Sequence, residues 1–231
     1  MRKFGISLMV GVAAVALASS SYAADLIIEE PMAEVGVVDV GGDWDGAYIG
    51  VFGGAAWGLA DHTNSGFDVD GADADLAGWL LGVKAGANFS VSEGVVLGVV
   101  GDIAWSNISG TYEDAPVIGD STNTINWMAS LRGLIGFDGG AFMPYLTGGL
   151  AVANATHEVE FFEPVLAVDA THIGWTVGAG VEVAVAENVS LNLEYRYTDL
   201  GSQAYDHESI FDPPEFTLTT HAITAGLNWH F

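Results

Sequence analysis

Polar and apolar residues alternate along much of this chain, and its basic residues follow the alternation. Lys84, Arg132 and Arg196 each occupy an even position in a segment whose odd positions are almost all apolar. Because successive side chains of a β-strand point to opposite faces, this pattern places an apolar band on one face and the cations on the other. A broad apolar face opposite a narrow charged face is typical of a barrel whose outer wall contacts lipid and whose lumen is polar.

The first 23 residues have the features of a signal peptide. Arg2 and Lys3 precede a mostly apolar stretch over residues 6–18, and Ser21-Tyr22-Ala23 has small residues at the two positions that a signal peptidase reads. An uncleaved membrane anchor is the alternative, but the apolar stretch is short for a span and ends in small and hydroxyl residues. We therefore predict that residues 1–23 are removed on export. The absence of cysteine excludes disulfide bonds.

The charge of the mature chain excludes one class of partner. After the predicted signal peptide, the chain has three basic residues against thirty acidic ones, so nucleic acid is excluded as a partner. No later stretch approaches the roughly 20 apolar residues that a membrane helix requires. Half of all residues are nevertheless hydrophobic, which favours alternating strands within a single domain over residues 45–231.

Eight segments show the alternation expected of strands. The clearest is the last, in which apolar residues at odd positions alternate with Thr, Gly, Asn and His. The predicted strands cover residues 45–58, 77–89, 95–105, 125–137, 142–155, 173–185, 191–198 and 223–231. Short turns are predicted at 92–94, 138–140 and 187–189, and long polar loops at 59–75, 107–123, 156–171 and 200–217. The prediction is an all-β fold, an eight-stranded antiparallel up-and-down transmembrane β-barrel with short periplasmic turns and four long extracellular loops.

Aromatic residues on the apolar face recur at a spacing that matches the thickness of a membrane. Trp79 lies ten residues before Phe89 and Trp127 ten residues before Phe137, and the outward face of a third strand spans the same distance from Val95 to Trp105. Ten residues of a strand tilted by about 40° climb roughly 25 Å, the height of the lipid-facing band. The alternative, a soluble core, is disfavoured because the opposite face carries charges and glycines. The predicted aromatic girdle consists of Trp57, Trp79, Phe89, Trp105, Trp127, Phe137, Trp175 and Trp229.

Glycine is abundant on the polar face. It occurs there at Gly50, Gly78, Gly82, Gly86, Gly98, Gly174, Gly178, Gly180 and Gly226. The interior of an eight-stranded barrel is only just wide enough for side chains, so small residues have to make room for large ones. This pattern predicts a filled interior and excludes a wide aqueous pore.

The predicted lumen contains a charge cluster with three residues of each sign: Lys84, Asp102, Arg132, Glu182, Glu194 and Arg196. Closing a hairpin over residues 92–94 places Lys84 opposite Asp102. Closing another over 187–189 places Glu182 opposite Glu194, and we predict that Arg196 bridges these two carboxylates. A catalytic carboxylate pair is the alternative, but a filled barrel gives a substrate no access. Because removing one partner of a buried ion pair is costly, the cluster predicts a plugged lumen.

Acidic residues are concentrated outside the predicted strands. Residues 24–44 predict a disordered acidic periplasmic leader. A passive tail is the favoured interpretation, and contact with peptidoglycan or a periplasmic partner is the alternative. Asp68, Asp70, Asp73 and Asp75 in the first loop have the spacing of calcium ligands, although the closing glutamate of an EF-hand loop is absent. A solvated acidic loop, or loops that attract divalent cations diffusely, are the alternatives. No metal site is therefore assigned with certainty.

Several strand motifs resemble those of a known family. They are GAYIG at 46–50, YLTGGL at 145–150, GWTVGAGVE at 174–182, LEYRYTDLG at 193–201, and an ending that closes on Phe231. Together they resemble the small outer-membrane β-barrel proteins of the opacity and OmpA-like porin family, alphaproteobacterial type. The resemblance implies a structural protein of the Gram-negative outer membrane with surface-exposed loops. It also implies a signal read by the outer-membrane assembly machinery, formed by Ile223, Ala225, Leu227, Trp229 and Phe231.

The expected function is therefore structural. We expect a monomer without cofactors that supports envelope integrity and surface presentation and forms at most a narrow, low-conductance porin. Its expected partners are outer-membrane lipid and lipopolysaccharide and the outer-membrane assembly machinery. Peptidoglycan at the leader and divalent cations at the loops are alternatives that the sequence leaves open.

Other function classes are less well supported by the sequence. A lipid A-modifying enzyme would need a nucleophile and a base near the outer leaflet, but the spacing of His157, His172, His221, Ser121 and Ser202 forms no triad. We therefore predict no catalytic residue and no enzymatic activity. An adhesin or ligand-binding barrel is a further alternative, whereas a soluble lipocalin-type barrel would turn its apolar residues inward.

Overall fold

The computed structural model describes residues 43–64, 74–112, 121–159, 166–204 and 215–231. The predicted signal peptide, residues 24–42 of the leader, and the candidate calcium ligands Asp68, Asp70 and Asp73 lie outside the described residues. Among the described residues, no helix has the length and hydrophobicity needed to cross a membrane.

Eight antiparallel strands form a closed barrel, which confirms the fold predicted from the alternation. The strands are β1 (Gly46–Asn64), β2 (Ala74–Ser92), β3 (Val95–Tyr112), β4 (Ser121–Phe137), β5 (Phe142–Val159), β6 (Leu166–Ala186), β7 (Val189–Ala204) and β8 (Glu215–His230). Each strand pairs with its neighbours in sequence, and β8 closes the barrel by pairing with β1.

The two faces of the sheet follow the predicted parity. On β6, Val177 faces outward and is exposed, whereas Thr176 and Glu182 point inward and are buried. Leu131 and Leu150 are 61% and 66% exposed on the outer wall. The lipid-facing part of the barrel wall is therefore apolar, and the barrel encloses all three of its basic residues, the reverse of the arrangement in a water-soluble protein.

The strands are longer than the apolar pattern predicted. β6 includes residues that were assigned to a loop, and Ser121 and Ser202, also assigned to loops, belong to β4 and β7. The outward side chains of the added part of β6, such as Asp169 and Thr171, are polar. The hydrogen-bonded ladder thus continues where the apolar pattern stops, because the pattern marks only the lipid-facing part of a strand.

Two hairpins close over tighter turns than predicted. Glu93 and Gly94 form the turn between β2 and β3, and Glu187 and Asn188 form the turn between β6 and β7. Gly94 has φ of +78°, a conformation that glycine adopts without steric cost. We call the end of the barrel that carries these turns the turn end, and the opposite end the loop end.

The predicted parity fails at one place in β4. Ile125, predicted to face outward, is buried, whereas Asn126 is exposed. The pairing of β4 with β5 shifts register between Ile125 and Trp127, and its pairing with β3 shifts between Trp105 and Ile108. Because an extra residue in a ladder changes which face the following side chains occupy, the prediction for this part of β4 was wrong.

The interior is packed in layers. A small apolar cluster at the turn end consists of Trp44, Val96, Leu134, Met143 and Tyr145. A larger one toward the loop end consists of Phe52, Ala56, Ala60, Ala74, Leu76, Leu80, Ala104, Ile108, Ile125, Ala151, Ala153, Ala155, Leu200, Leu218 and Ala222. Charged residues lie between them, as Asp102 on β3 lies between Val96 and Ile108. The loop-end half of the interior is therefore a hydrophobic core that the sequence analysis did not predict.

Candidate functional site in the barrel interior

Four charged side chains form a closed ring of ion pairs in the interior. Arg132 contacts Asp102 through Nη2 and Glu194 through Nη1, each at 2.8 Å. Arg196 contacts the same carboxylates, through Nη1 to Asp102 at 3.0 Å and through Nε to Glu194 at 2.9 Å. Each carboxylate therefore faces two guanidinium groups, and the arrangement is electrically neutral. We call these four residues the ion-pair ring.

Hydrogen bonds from neutral side chains complete the ion-pair ring. Ser130 donates to Asp102 at 2.6 Å, Tyr145 donates to Glu194 at 3.1 Å, and Thr147 accepts from Arg132 at 2.8 Å. Arg132 is only 2% exposed, so its charge depends on these partners. The planar guanidinium, with donors in fixed directions, suits a position between two carboxylates. Buried charges are tolerated when they are both paired and hydrogen-bonded in this way.

Lys84 lies opposite Asp102 in the ladder between β2 and β3, the register that the hairpin predicted. Its ammonium group, however, donates to Oδ1 of Asn192 on β7 at 2.8 Å. Among the described residues Lys84 forms no ion pair, because Asp102 is occupied by the two guanidinium groups. Lys84 therefore links opposite sides of the barrel through a single charge-assisted hydrogen bond.

Glu182 belongs to a separate polar site near the turn end. It accepts hydrogen bonds from Ser190 and, at 2.6 Å, from Nδ2 of Asn228. Nε2 of His230 lies 3.0 Å from the same carboxylate oxygen. With three polar partners, Glu182 is satisfied without either arginine.

The predicted bridge between Glu182 and Glu194 is therefore wrong. In the ladder Glu182 pairs with Asn192, and Arg196 contacts Glu194 and Asp102 instead. The cause is the two-residue turn at the end of this hairpin, together with a register irregularity between residues 184 and 186. The pairing moves by two residues, which keeps every side chain on its face, so the alternation could not detect the change.

The interior glycines accommodate aromatic rings from the neighbouring strand. A Cβ atom at Gly82 would lie 2.6 Å from Cζ of Phe52, and one at Gly86 would lie 2.5 Å from Cζ of Tyr48. Both glycines pair directly with these aromatic residues in the ladder between β1 and β2. The alternation of large and small side chains fills the narrow interior.

Little space remains above the ion-pair ring. A cavity of about 20 Å³ is bordered by Phe52, Met128, Arg196 and Thr198 among other residues. That volume accommodates about one water molecule. The guanidinium carbon of Arg196 lies 5.9 Å from the centre of the Phe52 ring, close enough for a cation–π contact. At this level the described interior is filled by side chains rather than by an open channel.

The residues of the predicted girdle lie on the outer wall. Trp57, Trp79, Phe89, Trp105, Phe137, Trp175 and Trp229 are exposed there, and Trp127 is half-buried beside the register shift in β4. The five residues of the predicted assembly signal also face outward, and Phe231 is 71% exposed. Their recognition by the assembly machinery remains a prediction.

The histidines considered for an enzyme lie on different sides of the barrel wall. His157 and His172 are buried inside, and Nδ1 of His157 lies 2.8 Å from Oδ1 of Asn123. His221 is on the outer wall, and the hydroxyl of Ser202 is 2.6 Å from that of Thr217. These groups do not form a nucleophile and base directed at one point.

Ser190, His230 and Glu182 are in contact but lack the geometry of a catalytic triad. The hydroxyl of Ser190 and the carboxylate of Glu182 both approach Nε2 of His230, at 2.9 and 3.0 Å. A triad requires the nucleophile and the acid to contact different ring nitrogens. The three side chains are buried, and we assign them to packing of the turn end.

The structure gives no support to a metal site in the part of the chain that it describes. No group of three or more His, Asp or Glu side chains there could hold a metal ion. Asp75, the one described candidate ligand, is exposed on the outward face of β2. The calcium hypothesis therefore remains a prediction.

Trp44 is an interior residue that the sequence analysis assigned to the leader. It is 2% exposed, and its Nε1 donates to the carbonyl oxygen of Gly140 at 3.2 Å. Its ring meets the ring of His230 edge-on, with 6.0 Å between centroids. Its even position, in phase with Tyr48 and Phe52, is the signal that could have identified it as an inward residue.

Comparison with known proteins agrees with this geometry. Residues 3–231 match the model of a family described as the outer membrane protein beta-barrel domain. The chain belongs to this family. As a family member, the protein is located in the Gram-negative outer membrane, and its apolar wall faces the lipid of that membrane. The resemblance stated for the strand motifs is thereby confirmed.

Two relatives and one solved structure illustrate the similarity of this outer-membrane barrel to known proteins. It is 33% identical to the 31 kDa outer-membrane immunogenic protein of Brucella melitensis, over 93% of this chain and 95% of the relative. It is 34% identical to the 22 kDa outer membrane protein of Rhizobium leguminosarum, over 73% and 70% of the two chains. The outer membrane protease OmpT of Escherichia coli shares 11% identity over 82% of this chain and 98% of that chain, with a TM-score of 0.50. At that identity, the likeness concerns the fold alone.

Proposed function

We propose that this outer-membrane barrel is a structural protein that supports the envelope and presents its loop-end segments at the cell surface, without an open path for solutes. The observation that carries the proposal is the filled interior. The ion-pair ring closes the middle of the barrel, and an apolar cluster lies on each side of it.

An ion would meet three barriers along the barrel axis. The larger apolar cluster offers no polar partner to replace the water around an ion. The ion-pair ring has its charges mutually satisfied, so it gives little attraction to either sign. Trp44 and its neighbours then fill the turn end. Conduction would require rearrangement of several buried layers.

Electrical recording tests the closed interior directly. The mature chain is refolded in detergent and inserted into planar lipid bilayers, with a wide-pore porin in the same apparatus as the positive control. We expect a flat baseline or very small current steps from this protein. Frequent, long-lived steps comparable to those of the porin would contradict the proposal.

The envelope role is tested in cells. A deletion strain is compared with its parent and with a strain complemented by the full chain, using growth in the presence of detergent and a chelator. We expect greater sensitivity on deletion and recovery on complementation. Equal sensitivity of the deletion strain and its parent would contradict a role in envelope integrity.

Surface presentation is supported by the topology and by the names of the relatives, which are described as outer-membrane immunogenic proteins. One epitope is inserted within residues 65–73, between the loop-end termini of β1 and β2. A second is inserted within residues 138–141, between the turn-end termini of β4 and β5. We expect antibodies to label intact cells only in the first case. Labelling of the second insertion alone would reverse the proposed orientation.

The proposal includes no catalytic activity. In the described part of the chain, Ser190 and Glu182 approach one and the same nitrogen of His230. The hydroxyl of Ser202, which shares the outer wall with His221, lies against that of Thr217. Neither arrangement activates a nucleophile through an oriented base.

A further inference from the structure

A row of aromatic side chains with a histidine at its centre crosses the outer wall. The rings of Trp57 on β1 and His221 on β8 are stacked, with 5.9 Å between centroids and an angle of 13°. His221 is also 5.1 Å from the ring of Tyr197 on β7, which is 5.4 Å from that of Trp175 on β6. The hydroxyl of Tyr195 lies 2.7 Å from Nδ1 of His221. We call these five residues the His221 row.

The His221 row lies where the outer wall changes from apolar to polar. On β8 the outward residues between His221 and the C-terminal Phe231 are apolar, whereas Thr219 and Thr217 lie beyond His221 toward the loop end. His221 is ten residues from Phe231, which corresponds to roughly 25 Å along the barrel axis. This is the full height of the lipid-facing band, so the row lies at the boundary between acyl chains and headgroups.

The row differs from the rest of the girdle because it contains a hydrogen-bonding imidazole. When the hydroxyl of Tyr195 donates to Nδ1 of His221, the proton of the neutral imidazole is on Nε2. Nε2 has no hydrogen bond to another residue of the described chain, so it is free to donate to a ligand. Trp57, Tyr195 and Trp175 are 42–47% exposed, which leaves ring surface available beside it.

The distribution of cations makes this histidine significant. All three basic residues of the barrel, Lys84, Arg132 and Arg196, point inward, so no ammonium or guanidinium group lies on the lipid-facing wall. The outer leaflet of a Gram-negative outer membrane consists of lipopolysaccharide, whose headgroup is a phosphorylated disaccharide. A barrel that contacts this anionic headgroup without lysine or arginine must use neutral donors and ring faces.

We propose that the His221 row binds the phosphorylated sugar headgroup of one lipopolysaccharide molecule. His221 donates from Nε2 to a phosphate oxygen, and the exposed ring faces of Trp57 and Trp175 pack against the sugar rings. Thr219, directly above His221 on the outer face, and the Asp199 carboxylate, in register with Thr219 on β7, are placed to bond sugar hydroxyls, with the phosphate on the His221 side. The inference uses the orientation of the proposed function, in which the loop end faces the cell exterior.

Lipid titration of the refolded full chain tests this assignment. The probes are diphosphoryl lipid A, the same lipid without its phosphates, and phosphatidylethanolamine, and native mass spectrometry from detergent counts the bound lipid. We expect one tightly bound lipid A, weaker binding of the dephosphorylated form, and no comparable retention of phosphatidylethanolamine. Equal retention of all three lipids would overturn the proposal in favour of a nonspecific aromatic belt.

Three variants locate the contact. His221→Phe keeps the stacked ring but removes the donor, and a charge-assisted hydrogen bond lost in this way lowers affinity about tenfold for diphosphoryl lipid A alone. Trp57→Leu should weaken both forms of lipid A. Trp79→Leu, on the outer wall of β2 and outside the row, is the matched control and should change neither.

Several results would overturn the assignment. These are unchanged binding by His221→Phe, or a loss in Trp79→Leu equal to that in Trp57→Leu. Because the replaced side chains are outside the packed interior, the heat-induced shift in gel mobility should show that every variant folds. His221→Leu, which also lacks a donor, replaces His221→Phe if that variant does not fold. Conduction in the bilayer experiment would contradict the closed interior without affecting these titrations, so the two proposals can fail separately.

Discussion

Tyr145 on β5 lies across Gly180 on β6, and a Cβ atom at Gly180 would be 2.6 Å from Cζ of the tyrosine ring. We predict that Gly180→Ala displaces this ring and weakens its hydrogen bond to Glu194. Overpacking of this kind should lower the free energy of unfolding by about 1–3 kcal/mol. Urea unfolding of the barrel refolded in lipid vesicles measures the loss.

Gly101→Ala is the matched control for this prediction. Gly101 occupies an outward position on β3, and a Cβ atom there would meet no atom of the described chain closer than 3.8 Å. We expect its free energy of unfolding to change by no more than about 0.5 kcal/mol. Equal losses in the two variants would show that the position of the tyrosine ring is not the cause.

The ion-pair ring predicts unequal roles for its two arginines. Arg132→Met removes two ion pairs from a side chain with 1% exposure and leaves both carboxylates with fewer partners. We expect it to lower the free energy of unfolding by about 3–5 kcal/mol. Arg196→Met should cost less, because the Arg196 side chain is 14% exposed and water can reach part of it.

Unfolding of both variants in the same lipid gives the comparison. A larger loss of unfolding free energy in Arg196→Met than in Arg132→Met would show that the burial of an arginine does not set the cost of removing it from the ion-pair ring. An unchanged stability of Arg132→Met would mean that water replaces the lost guanidinium, contrary to the packing around it.

The strand faces could be predicted from the sequence because the period of a strand is fixed at two residues. Leu191, Leu193 and Tyr195 form one face of β7 in the sequence pattern and in the structure. The same parity placed Lys84, Arg132 and their partners inside the barrel. The fold and the inward position of these charged residues therefore followed from alternation alone.

The contacts between charged residues could not be predicted in the same way. Glu182 pairs with Asn192 because of a local irregularity near the turn, and a shift of two residues has no effect on parity. Lys84 on β2 donates to Asn192 on β7, which is three strands away around the closed barrel. The registers of neighbouring strands cannot reveal such a contact. The loop-end core was missed because residues such as Leu218 stand among polar residues and resemble a loop.

Substitution of Trp44 tests whether the folded barrel begins before the first strand. We predict that Trp44→Ala lowers the free energy of unfolding by about 3–5 kcal/mol, because it empties a buried site and removes the hydrogen bond to Gly140. Deletion of residues 24–42 should leave the free energy within about 0.5 kcal/mol of the mature chain. Comparable losses in the two proteins would place part of the leader in the folded unit.

The depth of the outer wall in the membrane predicts a graded cost for charge. Leu131 is 61% exposed between the two aromatic rims of β4, and Thr111 is exposed on β3 beyond the outer rim. Leu131→Arg should cost about 2–4 kcal/mol in lipid, whereas Thr111→Arg should cost about 0–1 kcal/mol. Unfolding in vesicles provides both values, and equal costs would contradict the assigned membrane level.

Substitution of the C-terminal aromatic residue should affect assembly of the barrel in cells but not its stability. The backbone N–H of Phe231 donates to the carbonyl of Ala47 at 3.0 Å, but its side chain is 71% exposed and adds little to the packed interior. We therefore predict that Phe231→Ala refolds in detergent with unchanged stability but accumulates several-fold less in the outer membrane of cells. Phe89→Ala, which removes a ring that is also largely exposed, at 60%, near the same rim, should accumulate normally. Quantification of heat-modifiable barrel in outer-membrane fractions makes the test, and a matching deficit in Phe89→Ala would assign the effect to lipid anchoring instead of assembly.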